Sequence, residues 1–282
     1  MEKAEAEENE EQSGIKCVKR KSENTPVFEL EVTNENGERL IGKKRGVYVT
    51  VDVGKVWLFD EERFGAAAKA LSAEILRLAR GLAPLTNILI AGLGNRYVTP
   101  DAIGPLTVKN IEVTRHIKEQ EPGLYSQLFS ATVSAVEPGV VGQTGIETLE
   151  LIRGAVQNVC PSLVIVIDAL AARSVDRLAS TVQLTNTGIS PGSGIGNRRR
   201  EISRETLGVP VIAIGVPTIV DSSTLVWDML TRAGADEVCD ELRKELENGR
   251  SFFVSLKESD IAVNELSRLI ASALNSIFER KI

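Results

Sequence analysis

The sequence predicts an α/β protein. It reads as a single domain on a mostly parallel twisted sheet flanked by helices, with an antiparallel edge hairpin near the N-terminus. Three observations carry this expectation. First, the runs NILIAG (Asn87–Gly92), LVIVIDA (Leu163–Ala169) and VPVIAIG (Val209–Gly215) are apolar at nearly every position, as parallel strands must be when helices cover both faces of their sheet. Second, stretches with helical spacing separate these runs, and that alternation marks βαβ units. Third, β-branched residues alternate on either side of an Asn-Gly pair between Val27 and Asp52, which reads as a hairpin.

Taken in order, residues 1–13 (MEKAEAEENEEQS) are acidic, polar and free of aromatics, so a disordered tail is expected there. The rest, 14–282, forms one α/β domain. VFELEVT and GVYVTVDV are the two arms of the hairpin, with NENGE as its turn. Glu61–Leu82 has helical periodicity and a glycine stop at Gly81. AIGPLTVKNIEVTRHI and TGIETLELIRGAVQNV supply helices between the strands, and two further helical stretches near the C-terminus are expected to pack over the sheet.

Composition removes several kinds of chemistry. The formal net charge of −6 argues against broad, direct nucleic-acid binding. Cys17, Cys160 and Cys239 are too far apart for a zinc site or a disulfide framework. The single histidine, His116, lies in a predicted helix and reads as structural; triads and His-rich metal centres need a well-placed imidazole. No apolar run reaches the ~18–20 residues that span a bilayer, and no secretory signal opens the chain, so a soluble intracellular protein without a membrane partner is expected.

Any chemistry then leans on carboxylates, hydroxyls, Lys/Arg or backbone groups, and in open α/β sheets sites form beyond the carboxyl ends of the parallel strands. Three acids lie there: Asp168 ends LVIVI, Asp101 follows NILIAG by a glycine-rich loop, and Asp221 follows VIAIGVPTIV. Two carboxylates brought together in a poorly solvated site share one proton, so that one acts as base and the other as acid. Each also has a plainer reading. Position alone favours Asp101 as a helix-start acid, divides Asp168 between catalysis and pairing with Arg173 or capping, and assigns Asp221 to a loop or cap.

Two glycine-rich loops accompany these acids. GLGNRY offers Gly92 and Gly94 but has Tyr97 where a dinucleotide fingerprint needs its third glycine, so the fingerprint fails. Its glycines instead permit a tight turn and close backbone approach, and Gly92, Gly94 and Asn95 stand as substrate-binding or oxyanion candidates. The second loop, TGISPGSGIGNRRREIS, adds Gly192, Gly194 and Gly196, followed by Arg198–Arg200. It reads equally as an anion-binding loop, a wall over a site or a solvated basic helix start. It lacks the Lys-Ser/Thr of a P-loop and the G-x-S-x-G of a nucleophile elbow.

With GLGNRYVTPDAIGP, TRH, PGVVGQTGIET, VIDALAARS, TGISPGSGIGN and LGVPVIAIGVPTIVD in this order from about Ile41 to Asp221, the chain resembles the germination protease (spore protease) family of endospore-forming bacteria. The resemblance implies a peptidase domain over 14–282. It implies an endopeptidase that degrades small acid-soluble spore proteins during germination, by an atypical aspartic mechanism whose two carboxylates fall on Asp101 and Asp168. It further implies a zymogen, a homotetramer and a place in the spore core cytoplasm. A more distant likeness is to the hydrogenase maturation endopeptidases, whose two acids match Asp101 and Asp168. No histidine here matches theirs, so no metal and no other cofactor is expected. Two rival readings remain: a non-catalytic α/β module that binds an acidic or phosphorylated partner through the Gly192 loop, and a carboxylate-based metallohydrolase.

Overall fold

The computed structural model describes residues 14–193, 196, 199–235, 239–248 and 252–280. The predicted acidic tail at 1–13 lies outside them, as do Gly194, Arg198 and part of the loop around them. Strand β1 (Ile15–Ser22) turns through Glu23 and Asn24, both at positive φ, into β2 (Thr25–Val32). Helix α1 (Glu35–Ile41) leads to β3 (Gly46–Asp52), and α2 (Glu61–Arg80) to β4 (Asn87–Gly92). A 3-10 turn, Thr99–Asp101, then opens α3 (Ile103–Lys109). Short helices α4 (Arg115–Gln120) and α5 (Pro122–Leu128) precede β5 (Thr132–Val136). After α6 (Val141–Thr144) and α7 (Thr148–Val159) come β6 (Leu163–Ala172) and β7 (Thr181–Thr185). Then follow α8 (Arg204–Leu207), β8 (Val211–Asp221), α9 (Ser222–Arg232), α10 (Asp240–Asn248), β9 (Phe253–Val254) and α11 (Ser259–Phe278).

The strands form one mixed sheet in the order β1-β2-β3-β7-β8-β6-β4-β5, with β9 added to β8. The predicted parallel centre is present as β5-β4-β6-β8. The antiparallel part extends further than an edge hairpin, from β1 through β7 to β8. Alternation along each strand sends successive side chains to opposite faces. Ile165 and Ile167 of β6 join Leu71, Ile103, Leu266 and Ile270 under α2, α3 and α11. Val164 and Val166 join Leu89 and Ile152 under α7. Asp168, two residues past Val166, therefore carries its carboxylate on the α7 face.

Local chemistry explains where the predicted boundaries moved. NENGE is not a hairpin turn: Asn34 caps α1 by accepting the Gly37 N–H at 3.0 Å, and the segment coils into that helix. The flanking strands still pair antiparallel, but across the helix, and the tight hairpin is β1–β2 instead. α2 starts under Asp60, which accepts the Arg63 N–H, and ends at Gly81 as expected. The single helix expected from Ala102 to Ile117 is broken after Lys109. Asp221 is the last residue of β8 and the N-cap of α9, accepting the Ser223 N–H at 2.8 Å. Among the described residues no helix is long and apolar enough to cross a membrane.

Candidate active site

Four devices hold Asp101 in place. β4 ends at Gly92, but the next residue stays on the sheet because the Leu93 N–H donates to the Ile167 carbonyl at 2.8 Å. Gly94 then adopts φ +107, and a Cβ there would lie 2.0 Å from the Asp101 carbonyl oxygen, so only glycine lets the loop fold back this closely. The Asn95 N–H donates to Asp101 Oδ2 at 2.8 Å, and Thr218 of β8 donates its hydroxyl to the Pro100 carbonyl at 2.6 Å. The 3-10 turn is thus pinned between the β4 loop and β8.

Gly92 serves the packing of α3, since a Cβ on it would meet the Gly104 carbonyl oxygen at 2.2 Å. What approaches these two glycines is the chain itself, α3 at one and Asp101 at the other. Neither they nor Asn95 line the cavity described next.

Asp168 is delivered by a rigid strand. It is 5% exposed and stands in register with Gly215 of β8, one step past the last β6 residue paired with β4. The Ala169 N–H donates to its Oδ1 at 3.0 Å. It neither caps a helix nor pairs with Arg173; among the described residues it forms no ion pair. Burial, reinforced by the charge of Asp101, pushes its carboxyl up to about 7 against the pull of the Ala169 N–H. Burial also raises Asp101, opposed by the Asn95 N–H and the positive charge of Arg199.

The two carboxylates line one cavity of about 670 Å³, together with Thr218, Ser190, Gly192 and Ser193. Three cations, Lys43, Arg173 and Arg177, also line it, beside the neutral Gln183 and Ser255. Burial lowers the Lys43 ammonium, and the charges of Arg173 and Arg177 lower it further. Among the described residues no carboxylate pairs with any of the three.

Sequence patterns gave no hint of Lys43, which comes from the far side of the sheet, or of Thr218 inside an apolar strand. Arg173 and Arg177 follow β6 closely and were the more readable pair. Of the second glycine loop, Gly192 lines the cavity and Gly196 does not. Arg200 turns away to Glu150 at 3.7 Å, and His116 is exposed on α4. No group of three or more His, Cys, Asp or Glu side chains with metal-binding proximity occurs among the described residues.

An α/β sheet that carries two acids, both with raised pKa, into one cavity at the carboxyl ends of its parallel strands has the construction of an enzyme's active-site cleft. The germination protease family model matches residues 1–251. The chain is 42% identical over 265 residues to the germination protease of Clostridium acetobutylicum, covering 93% of this chain and 79% of that one. It is 46% identical over 217 residues to that of Caldanaerobacter subterraneus subsp. tengcongensis, covering 77% and 66%. With the Bacillus cereus germination protease it shares 40% over 267 residues, covering 93% and 71%. The chain belongs to the germination protease family, which makes it a peptidase of spore germination. Among solved structures it is similar to the nickel–iron hydrogenase maturation protease HycI from Thermococcus kodakarensis KOD1, at 16% identity and a TM-score of 0.36, covering 67% of this chain and 92% of that one.

Proposed function

We propose that this chain is an endopeptidase in which Asp101 and Asp168 share one proton and activate a water molecule. The observation that carries the reading is that both carboxylates line one cavity, with Asp168 pushed up to about 7 by burial and by its neighbour's charge. Asp168 is the acid and Asp101 the base: Asp168 is more buried and lacks a cation, whereas Asp101 has the Asn95 N–H and Arg199 to favour its charged form.

In the first step Asp101 takes a proton from water as the oxygen attacks the peptide carbonyl carbon. Asp168 gives its proton to the carbonyl oxygen, and a tetrahedral diol results. In the second step the C–N bond breaks. Asp101 returns its proton to the leaving nitrogen and Asp168 recovers one from a diol hydroxyl, so both carboxyls regain their starting states. The backbone at Gly192 is the loop candidate for stabilising developing oxygen charge.

The unpaired cations Lys43, Arg173 and Arg177 favour a substrate with an acidic side chain near the scissile bond. By family resemblance we take the substrates to be small acid-soluble spore proteins, the place the spore core cytoplasm, the state a homotetramer, and control to be through a zymogen. Residues 14–282 act as one peptidase domain in this reading.

The test is incubation of the purified chain with a small acid-soluble spore protein, followed by mass spectrometry of the products. Discrete fragments are expected from the unaltered chain, and none from Asp101→Asn or Asp168→Asn. Full cleavage by either variant would remove the carboxylate pair from the mechanism.

A further inference from the structure

The sheet register continues from Asp168 across the molecule. Asp168 is paired with Gly215, Gly215 with Gln183, Gln183 with Thr50, and Thr50 with Phe28. One row over, Ala213 is paired with Thr185, Thr185 with Tyr48, and Tyr48 with Leu30. Cross-strand partners project from the same face, so these side chains share the face that carries the Asp168 carboxylate. On that face α7 packs over β4 and β5, while Phe28, Leu30, Tyr48 and Thr50 are only half-buried.

A second cavity, of about 230 Å³, lies there, walled by Phe28, Leu30, Tyr48 and Ile189. It adjoins the first: Leu170, Lys43, Arg177 and Gln183 line both. At the junction Leu170 lies over Gly215, where a Cβ would come within 2.3 Å of its methyl carbon. The absent side chain keeps the passage low. Lys43 borders the far cavity with its ammonium 4.2 Å from the centre of the Tyr48 ring.

We infer that an extended substrate chain crosses the sheet along this row, and that the second cavity holds one of its bulky apolar side chains. The inference rests on the peptidase reading of Asp101 and Asp168 and adds a second point of recognition to it. Strands lie ~4.8 Å apart, so Tyr48 on β3 and Phe28 on β2 stand ~14–19 Å from Asp168. A chain advancing ~3.3 Å per residue covers that span in about four to six residues. The enzyme therefore selects a bulky apolar residue (Leu, Ile, Met or an aromatic) about four to six residues from the bond it cuts, on one side only. An apolar anchor far from the reacting atoms holds the chain in place while the carboxylates act.

The test uses an equimolar mixture of end-blocked random tetradecapeptides with the full chain, and fragment sequencing by mass spectrometry. The expected result is enrichment of bulky apolar residues at one position in that window. In a single cleaved peptide, replacing that residue by Ser lowers kcat/KM about tenfold, the effect of withdrawing one buried apolar side chain. Leu30→Gln is expected to erase the enrichment, measured as the ratio of rates for the apolar and Ser peptides in the same variant. The unaltered chain's profile decides the matter if that variant does not fold. A profile flat beyond the residues next to the scissile bond, with cleavage still occurring, overturns this inference and leaves the carboxylate pair standing. Absence of cleavage of any peptide or spore protein overturns both.

Discussion

Two carboxylates in this protein are almost equally hidden and are treated in opposite ways. Glu74 of α2 is 2% exposed and Asp168 of β6 is 5% exposed. Glu74 receives both terminal nitrogens of Arg20 at 2.5 Å and the Arg77 Nε at 3.1 Å, and the two arginines share Glu29 as well. Burial pushes the Glu74 carboxyl up, but these hydrogen bonds and charges outweigh it and hold the group below its usual range. Asp168 has one N–H and a second acid for company. The difference teaches that burial alone does not assign a role. A buried acid with cations tethers β1 and β2 to α2, whereas a buried acid facing another acid across open space is poised to hold and release a proton.

The largest expected effect lies on the Asp168 side. Asp168→Asn and Asp101→Asn should each lower peptide cleavage by about 10³-fold, since each removes a proton-transfer group, while Glu74→Gln leaves the dyad untouched and retains cleavage wherever it folds. Assaying all three with one fluorogenic peptide would break the contrast if Glu74→Gln proved as inactive as the other two.

Next in size is the stability of Glu74. Glu74→Ala leaves the Arg20 guanidinium without its main partner and should cost about 3–5 kcal/mol in urea unfolding. A loss below about 1 kcal/mol would show the network to be ornamental.

Asp168 should behave in the reverse sense. Its folded carboxyl keeps a proton up to about 7, whereas the unfolded one releases it near 3.8. The unfolded state therefore binds fewer protons across that window, and stability falls as pH rises through it. Asn has no proton to lose, so Asp168→Asn should be more stable than the unaltered chain by about 2–4 kcal/mol at about pH 8, with no difference at about pH 4 or below. Thermal melts across that range check the sign.

The smallest effect is expected at the third acid read from the sequence. Asp221→Ala removes a helix cap and should cost about 1 kcal/mol, with kcat/KM for a short peptide changed less than about twofold.

Much of this arrangement was legible beforehand, and the gaps have physical causes. NILIAG and LVIVIDA stood out because strands covered on both faces are apolar throughout. β5 (TVSAV) and β7 (TVQLT) are five residues each and carry Thr, Ser and Gln, too short and polar to separate from loops. β1 (IKCVKRKS) was hidden by its four Lys and Arg residues, one of which, Arg20, is the partner of buried Glu74. Asp168 announced itself as the acid ending an apolar run. Asp101 did not, because Thr-Pro-Asp before a helix looks like a cap, and only in three dimensions does its carboxylate turn back to the Asn95 N–H. Lys43 and Thr218 were illegible because each reaches the cavity from an element whose own sequence has no reason to mark it.

The central claim is that one proton is held between Asp101 and Asp168 at neutral pH, and carbon-13 NMR of the aspartate carboxyls over a pH series measures it directly. The Asp168 resonance should titrate with a midpoint near 7, and Asp101→Asn, by deleting a neighbouring negative charge, should move that midpoint down. An Asp168 midpoint near the ordinary value of 3.8, unmoved by Asp101→Asn, would contradict the account.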